Sequence, residues 1–278
     1  MTDNALAPGL YVAATPIGNL GDITRRLQQT LAAADEILCE DTRVTGKLLQ
    51  ALGIKTKMRA YHDHNGAAVR PQVLDAIEAG GALALVSDAG TPLIADPGFK
   101  LVREARERGL TVVAIPGPCA AIAALSIAGV PTDRFSFQGF LPPKSGARRT
   151  RLNALSSRGE TLVFYETGPR IADCLRDIAA TLGDGPVLIA RELTKLHEEV
   201  VEGDALSLAD RYDETAPKGE IVLIVPARAD VAMGDADVDR LMAEALETMS
   251  LKDASAHVAS VTGRKKRDLY QRWLDQDR

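Results

Sequence analysis

The sequence predicts an α/β protein of two α/β domains, followed by a small helical region at the carboxyl end. Two observations lead to this prediction: short apolar strands alternate with helical patterns, and glycine-rich loops follow the strands, as in parallel sheets. A chain of 278 residues with 46% hydrophobic content is also long enough to form more than one domain. The predicted domains are residues 1–131, 132–228 and 229–278.

The first part of the chain repeats a strand, a loop and a helix. Ile23, Leu27 and Leu31 recur at helical spacing, and glycines end the helical stretch VLDAIEAGG. This alternation predicts a parallel sheet. In chain order, the predicted strands and helices lie in GLYVAATPIG, ITRRLQQTLAAAD, EILCEDTR, VLDAIEAGG, ALALVSDAG, GFKLVREARERG, TVVAIPGPC and AAIAALSIAG.

The rest of the chain changes character twice. Turn residues cluster in VPTDRFSFQGFLPPKSG, which predicts a break, and the strands expected after it are TLVFYE, PVLIARE and GEIVLIVP. After residue 229 an apolar stripe predicts a helix, Ser250 is placed to cap the next helix and Gly263 to end it, and RKKRDLYQRWL predicts a third. The stripe consists of Val238, Leu241, Met242, Ala245, Leu246 and Met249.

Composition argues against several classes of protein. No window of about 18 uncharged apolar residues is present, so no membrane span is expected, and the amino-terminal MTDNALAPG lacks the layout of a signal peptide. Cys39, Cys119 and Cys174 are scattered and odd in number, so we expect reduced thiols in a cytoplasmic protein. Because the net charge is -5, a nucleic-acid partner has to be met by a local basic surface.

The stretch LVSDAGTPLIADPG, residues 85–98, is a candidate binding loop. It contains glycines, prolines and two aspartates but no lysine or arginine. The chain has neither a P-loop pattern nor a G-x-G-x-x-G that opens a helix after a strand. The hypotheses that the loop binds ATP or NAD therefore lack their main sequence evidence. An S-adenosyl group, with its sulfonium, ammonium and adenine, suits carboxylate, carbonyl and apolar partners. In the alternative interpretation, the glycines and prolines only turn the chain.

Nine motifs extend in order over nearly the whole chain. They are ATPIGNLGDIT (14–24), CEDTRVTGKLL (39–49), YHDHN (61–65), LVSDAGTPLIADPG (85–98), IPGPCAAIAAL (115–125), FQGFLPPK (137–144), FYETGPRI (164–171), ARELTKLHEEVVEG (190–203) and KGEIVLIV (218–225). With these motifs the chain resembles the tetrapyrrole methylase superfamily. Members that modify tetrapyrroles resemble one another in a first loop of the form G-x-G-x-G-D. Here that loop reads PIGNLGD, with Ile17 and Asn19 where glycines would stand, which favours the branch of the superfamily that methylates ribosomal RNA.

The resemblance implies both a fold and an activity. The fold is two α/β domains with S-adenosylmethionine in the cleft between them, in a homodimer. The activity is methylation of a cytidine ribose 2′-hydroxyl in the decoding region of 16S rRNA, within the small ribosomal subunit. Cys119 stands where Ser or Thr is common in the family, so a backbone contact is expected there. The implied cofactor-binding residues, each with a turn or packing role as the alternative, are Pro16, Ser87, Asp88, Ala89, Gly90, Ile94, Cys119, Ala120, Tyr165, Glu166 and Ala190.

Four charged residues at or beside the ends of first-domain strands are the candidate catalytic groups. They are Asp22, Glu40, Asp41 and Arg43. Methyl transfer from a sulfonium requires the protein to align the 2′-oxygen and to help remove its proton, and open α/β sheets bind ligands at the carboxyl ends of their strands. Two alternatives stay open: Asp22 caps a helix starting at Ile23, and Asp41 forms a structural ion pair with Arg43.

Two histidines in YHDHN raise the question of a metal site. His62 and His64 share one face of an extended segment. No third ligand is spaced to join them, and methyl transfer from a sulfonium needs no metal, so we predict none. A place beside an RNA face is an equally economical interpretation of these histidines.

Two basic segments are the predicted RNA-binding surfaces. KSGARRTR, residues 144–151, is expected to be a flexible loop, and GRKKR, residues 263–267, opens the last helix of a helix-turn-helix-like tail. The alternative for each is a solvated basic face. The residues concerned are Lys144, Arg148, Arg149, Arg151, Arg264, Lys265, Lys266 and Arg267.

Two other functions remain open at this point. A small-molecule, tetrapyrrole-type methyltransferase of the same fold is disfavoured by the first loop and by the basic tail. A non-catalytic RNA-binding protein of ribosome assembly is the more distant alternative, and it would bind no S-adenosylmethionine.

Overall fold

The computed structural model describes four stretches of the chain, residues 5–156, 158–227, 235–262 and 264–276. The chain divides into two compact units, residues 1–226 and 227–278. None of the described helices combines the length and the apolar character needed to cross a membrane.

The first sheet has the strand order β3-β2-β4-β1-β5, and its neighbouring strands are parallel. Apolar side chains cover both faces, Leu10 and Leu38 on one and Tyr11 and Ile37 on the other, as expected of a parallel sheet packed between helices. The strands are β1 (Gly9–Ala13), β2 (Glu36–Cys39), β3 (Met58–Ala60), β4 (Ala82–Leu85) and β5 (Val112–Ile115). The helices are α1 (Arg25–Ala33), α2 (Thr42–Leu52), α3 (Gly66–Glu78), α4 (Phe99–Glu107) and α5 (Ala120–Ile127), with a 3-10 turn at Leu20–Asp22.

The predicted strands and helices of this first part are confirmed, whereas α2 and β3 are additional elements that the sequence prediction omits. Thr24 caps α1, because its Oγ1 accepts the backbone N–H of Leu27 at 3.0 Å. The alternative in which Asp22 caps this helix is therefore wrong. Asp22 lies in the preceding 3-10 turn.

The second sheet is mixed and has the order β6-β7-β10-β8-β9, with β6 parallel to β7 and the other pairs antiparallel. One face packs on α7 and α8 around Phe164, and the other packs on α5, where Val163 and Val222 meet Ala124. The strands are β6 (Phe135–Phe140), β7 (Thr161–Thr167), β8 (Pro186–Arg191), β9 (Glu199–Asp204) and β10 (Glu220–Val225). The helices are α6 (Ser145–Asn153), α7 (Gly168–Leu182) and α8 (Ala205–Glu214).

The second sheet confirms three predicted strands, as β7, β8 and β10, and adds β6 and β9. β6 lies inside the predicted break. Its pattern is disguised by a shift of register between Phe137 and Phe140 and by Gly139, whose φ is +63°. The prediction of a flexible loop over residues 144–151 is wrong, because most of that stretch forms α6. The predicted boundary at residue 131 stays a prediction.

The second unit contains the predicted helices, α9 (Asp235–Leu246), α10 (Leu251–Thr262) and α11 (Lys266–Gln276). They share a small core that includes Val238, Met242, Val258 and Leu269. Ser250 caps α10 as predicted, since its Oγ accepts the backbone N–H of Asp253 at 3.2 Å. Gly263 lies outside the described residues.

Candidate functional site

Three loops at the carboxyl ends of β1, β4 and β5 are tied together by hydrogen bonds. Thr15 and Gly90 exchange two backbone bonds, of 2.8 and 3.1 Å, and the Thr91 hydroxyl donates to the Pro118 carbonyl at 2.9 Å. Gly90 has a φ of +79°, and a Cβ there would lie 3.2 Å from Ile17 Cγ2, so glycine suits this position both in backbone conformation and in space. The loop after β4, predicted to bind a ligand, thus has a fixed place at the sheet edge.

A cavity of about 340 Å³ lies between these loops and the second sheet. We refer to it as the main cavity. Its walls include Ile17 from the loop after β1, Phe140 from β6 and Ile221 from β10. Seven of the predicted cofactor-binding residues line it: Ala89, Gly90, Ile94, Cys119, Ala120, Tyr165 and Ala190.

The charged groups of the main cavity favour a cationic ligand. Asp96, Glu192 and Glu220 supply carboxylates. Among the described residues that line this cavity, the two cations are both paired, Arg191 with Glu199 at 2.6 Å and Lys195 with Glu192 at 2.9 Å. A phosphate would therefore find no uncommitted positive charge here, whereas a sulfonium or ammonium finds carboxylates.

Asp96 is a partly buried carboxylate of this cavity. Burial raises its pKa to about 6, against the opposing effect of a hydrogen bond from Ser87, and the nearby negative charges of Glu40, Glu220 and Asp88 add to the rise. Sequence reasoning missed Asp96, although it is the second aspartate of the loop that drew attention to Asp88.

Tyr165 and Glu166 point to opposite faces of β7, because successive strand residues alternate. Tyr165 lines the main cavity and packs edge-on against Phe137 at a ring-centroid distance of 4.7 Å, and burial raises the pKa of its hydroxyl. The Glu166 side chain is fully buried away from the cavity. One of its oxygens accepts the Thr167 N–H at 2.9 Å, and the other lies 3.1 Å from Arg170. The prediction that Glu166 faces the cofactor cleft is therefore wrong for its side chain.

A second cavity, of about 260 Å³, lies on the other side of the same loops, against α2. The remaining predicted cofactor residues, Pro16, Ser87 and Asp88, line this cavity instead of the main one. The predicted cofactor set thus divides between two adjoining spaces, apart from Glu166.

Three of the four predicted catalytic residues lie close together beside Asp88. Asp41 donates its backbone N–H to Asp88 Oδ1 at 3.1 Å, and its carboxylate caps α2 and binds the Arg43 guanidinium at 2.6–3.1 Å. The hydrogen bonds from Arg43 lower the pKa of Asp41 to about 2. The ion pair that was one alternative for these two residues is therefore present. Asp22 lies apart from the other three, and none of the four lines either cavity.

Glu40 differs from its neighbour Asp41 in the direction of its pKa shift. Although the residue is exposed, loss of water around its carboxylate raises its pKa, and the negative charges of Asp88 and Asp63 add to this effect. A raised pKa makes Glu40 the better proton acceptor of the two near neutral pH.

A strap of residues 192–198 links β8 to β9 and borders the main cavity. Glu192 and Thr194 have φ angles of +52° and +66°, and the buried Thr194 hydroxyl oxygen has no hydrogen-bond partner among the described residues. The strap packs on the loop after β1 so closely that a Cβ at Gly18 would lie 2.6 Å from Lys195 Cγ. In the motif ARELTKLHEEVVEG, only Ala190 was predicted to bind the cofactor. Glu192 and Lys195 were missed, although charged residues just beyond a buried strand are typical of a binding site.

The four basic side chains predicted at residues 144–151 are not all available to RNA. Arg148 is 3% exposed and its guanidinium binds the buried Asp177 carboxylate at 2.7 Å, so its predicted place on an RNA surface is wrong. Arg149 binds the same carboxylate at 2.6 Å from a half-exposed position, and Arg151 donates to Gln138 at 2.6 Å. Lys144 is exposed.

The basic segment of the tail lies at the start of α11. Lys265, Lys266 and Arg267 are exposed, and Arg264 binds Asp235 at 2.6 Å. These residues keep their predicted surface position within the second unit.

The histidines of YHDHN lie near each other, with ring centroids 6.0 Å apart for His62 and His64. Within the stretches that the structure describes, no group of three His, Cys, Asp or Glu side chains is arranged to hold a metal ion.

Known proteins resemble this chain over both of its units. Residues 9–209 match the family model described as Tetrapyrrole (Corrin/Porphyrin) Methylases, and residues 232–277 match the one described as RsmI C-terminal HTH domain. Among curated proteins, the Ribosomal RNA small subunit methyltransferase I of Erythrobacter litoralis is 52% identical, over 97% of this chain and 96% of its own length. The protein of the same name from Mesorhizobium japonicum is 47% identical, over 97% and 92%. Among solved structures, a diphthine synthase shares the fold of 79% of this chain and 90% of its own, at 15% identity and a TM-score of 0.63.

Proposed function

This chain belongs to the family of tetrapyrrole (corrin/porphyrin) methylases, and we propose that it transfers the methyl group of S-adenosylmethionine to a cytidine ribose 2′-hydroxyl in the decoding region of 16S rRNA. Relatives about half identical over nearly the whole chain are named as methyltransferases of small-subunit ribosomal RNA, which supports RNA as the acceptor. Because this acceptor is part of the small ribosomal subunit, the proposal places the enzyme in the cytoplasm, with that subunit as its partner.

The observation that carries the cofactor assignment is the charge of the main cavity. S-adenosylmethionine supplies a methyl group already activated on a positively charged sulfur. The carboxylates of Asp96 and Glu220 suit such a cation, because Glu192 is already paired with Lys195, and the pairing of Lys195 and Arg191 leaves this cavity unsuited to a phosphate-rich cofactor. The main cavity, with its apolar walls for an adenine, is therefore the cofactor site that we propose.

The residues of the loops after β4 and β5 hold the cofactor in this proposal. Gly90, which has no side chain, leaves space beside Ile17. Cys119, at the start of α5, presents its backbone groups to the cofactor. Tyr165 and Ala190 form the wall on the second sheet. The remaining side chains assigned to this site are Ala89, Ile94 and Ala120.

Glu40 is the proton acceptor in this proposal, and Asp41 has a positioning role. The raised pKa of Glu40 suits it to receive the proton of the 2′-hydroxyl, whereas Asp41, whose pKa is about 2, holds its proton too weakly to do so. Asp41 orients Arg43, whose side chain is 87% exposed and available to an RNA phosphate.

RNA is met by both basic segments in this proposal. Lys265, Lys266 and Arg267 of the tail are the exposed side chains that meet it, and Arg149 and Arg151 of α6, which also bind Asp177 and Gln138, are the others. The enzyme acts as a homodimer, as the resemblance to its family implies.

The test of the proposed function is methyl transfer from labelled S-adenosylmethionine to unmodified small ribosomal subunits and to bare 16S rRNA, followed by mapping of the 2′-O-methyl mark. A mark on a decoding-region cytidine is the expected result. Transfer to neither RNA, with the cofactor bound normally, would point instead to a small-molecule acceptor.

Asp96 makes the cofactor assignment testable through pH. Because its pKa is about 6 and a cationic ligand prefers its ionised form, the association constant for S-adenosylmethionine should rise with pH from about 5 to 7, by up to about tenfold per unit below pH 6. Calorimetric titration of Asp96→Asn should show weaker binding without this rise. Asp63→Asn, which changes an exposed carboxylate at the same sheet edge, is the control and should keep it. A pH dependence that survives in Asp96→Asn would remove Asp96 from the site.

A further inference from the structure

One face of α2 is apolar but does not belong to the protein core. Val44, Leu48 and Ala51 recur at helical spacing with Lys47 between them, and all four line the second cavity. The face of α2 that enters the core is a different one, carrying Leu49. Val44 is 39% exposed. The second cavity is therefore a groove with an apolar helical wall and one lysine.

The opposite wall of the groove is the loop after β1. Pro16 and Gly18 line it, and Leu20, which is 52% exposed, stands at its rim. A cavity of about 260 Å³ lies a little below the range of roughly 300–1,000 Å³ that is usual for small-molecule sites, and so suits one nucleoside better than a whole dinucleotide.

The second cavity adjoins the main cavity through two shared loops. In the loop after β1, Ile17 lines the main cavity while its neighbours Pro16 and Gly18 line the second. In the loop after β4, Asp88 lines the second cavity and Ala89 the main one. Consecutive residues of these two loops thus line the two cavities, which adjoin at this edge of the sheet.

The charge of the groove matches a single phosphate. Within the described part of the chain, Lys47 is exposed and forms no ion pair with a carboxylate, unlike Lys195 in the main cavity. Arg43, one turn earlier on the same helix, is the next cation. An apolar wall beside an unpaired ammonium is what a base and its backbone phosphate require.

We propose that the second cavity binds the acceptor nucleotide, with its base against Val44 and Leu48, a flanking phosphate on Lys47 and its ribose toward the loops that border the main cavity. This assignment rests on the proposed function, since it takes the main cavity as the place of the methyl donor. Asp88 lines this cavity, and Glu40 lies close enough to Asp88 for the negative charge of Asp88 to raise its pKa.

The experiment compares two substitutions in the groove with two matched controls. Ala51→Trp fills the groove, and Ala32→Trp makes the same change on an exposed position of α1. Lys47→Glu reverses the charge in the groove, and Lys55→Glu reverses that of an exposed lysine just beyond α2. For all four, S-adenosylmethionine affinity is measured by calorimetry, methyl transfer to small ribosomal subunits by kinetics, folding by thermal melting, and oligomeric state by size-exclusion chromatography.

Ala51→Trp should lower kcat about 100-fold, because displaced reactants lose their alignment, while the dissociation constant for S-adenosylmethionine stays unchanged. Lys47→Glu should raise KM for the subunits roughly tenfold, with a smaller effect on kcat. Both controls should behave as the wild type. Since Lys47 is exposed, its variant keeps the test decisive even if Ala51→Trp melts early.

Three results would overturn the assignment. Wild-type transfer by both groove variants would show that no acceptor enters the groove. Loss of S-adenosylmethionine binding in Ala51→Trp would indicate that the groove binds the cofactor. An altered oligomeric state with normal transfer would indicate that the groove contacts a second copy of the chain. If the wild type itself transfers no methyl group to the subunits, the proposed function fails, and the assignment of the groove fails with it.

Discussion

Residues 144–151 and residues 264–267 each contain four basic side chains, yet their surroundings differ. In the first segment, Arg148 is 3% exposed and two arginines converge on the buried carboxylate of Asp177. In the second, the Arg267 side chain is 95% exposed. The difference teaches that a basic run stays available to a partner only where no buried acid faces it, and that acid can lie far away in the sequence.

The largest expected effect comes from removing the acid of the buried cluster. Asp177→Ala leaves Arg148 buried without its partner, so the free energy of unfolding should fall by about 3–5 kcal/mol in urea denaturation. Asp173→Ala, on the same helix with a side chain 78% exposed, should change it by less than about 1 kcal/mol. Equal losses of stability in Asp177→Ala and Asp173→Ala would mean that burial of the carboxylate does not decide how much it stabilises the fold.

The tail should show the opposite behaviour. Replacing Lys265, Lys266 and Arg267 together by alanine should weaken binding to 16S rRNA and lower the slope of log affinity against log salt by up to about three, or about one for each phosphate that the variant no longer neutralises. The free energy of unfolding should stay unchanged, because these side chains are exposed. Lys252→Ala, an exposed lysine of α10, serves as the control. An unaltered salt slope in the triple variant would remove the tail from the RNA surface.

The smallest effect sharpens the comparison within α6. Arg149 shares the Asp177 carboxylate but its side chain is 51% exposed, so Arg149→Ala should lower the free energy of unfolding by less than about 1 kcal/mol. Because Arg149 is one of the side chains proposed to contact RNA, the same variant should also bind 16S rRNA more weakly. A loss of stability as large as that of Asp177→Ala would contradict the assignment of Arg148 as the buried partner.

The sequence was most informative where local pattern decides structure. The glycine loops after β1 and β4 were predicted to lie at the ends of buried strands, and Gly90 and Ile94 do line the main cavity. Arg148 could not be interpreted in this way, because Asp177 lies 29 residues further along and only the packing of α6 on α7 brings the two together. Asp96 was missed for a related reason: the burial that raises its pKa comes from the assembled cavity and not from its neighbours in the chain.

The closeness of Gly18 and Lys195 has a consequence for how this sequence can vary in evolution. A Cβ at position 18 would lie within 3.0 Å of two carbons of the Lys195 side chain, so a larger residue there requires the Lys195 side chain to take another rotamer, position 195 to shorten or the strap to move. The two positions are 177 residues apart. They are nevertheless expected to be coupled across homologous sequences, because a side chain at position 18 displaces the one at position 195.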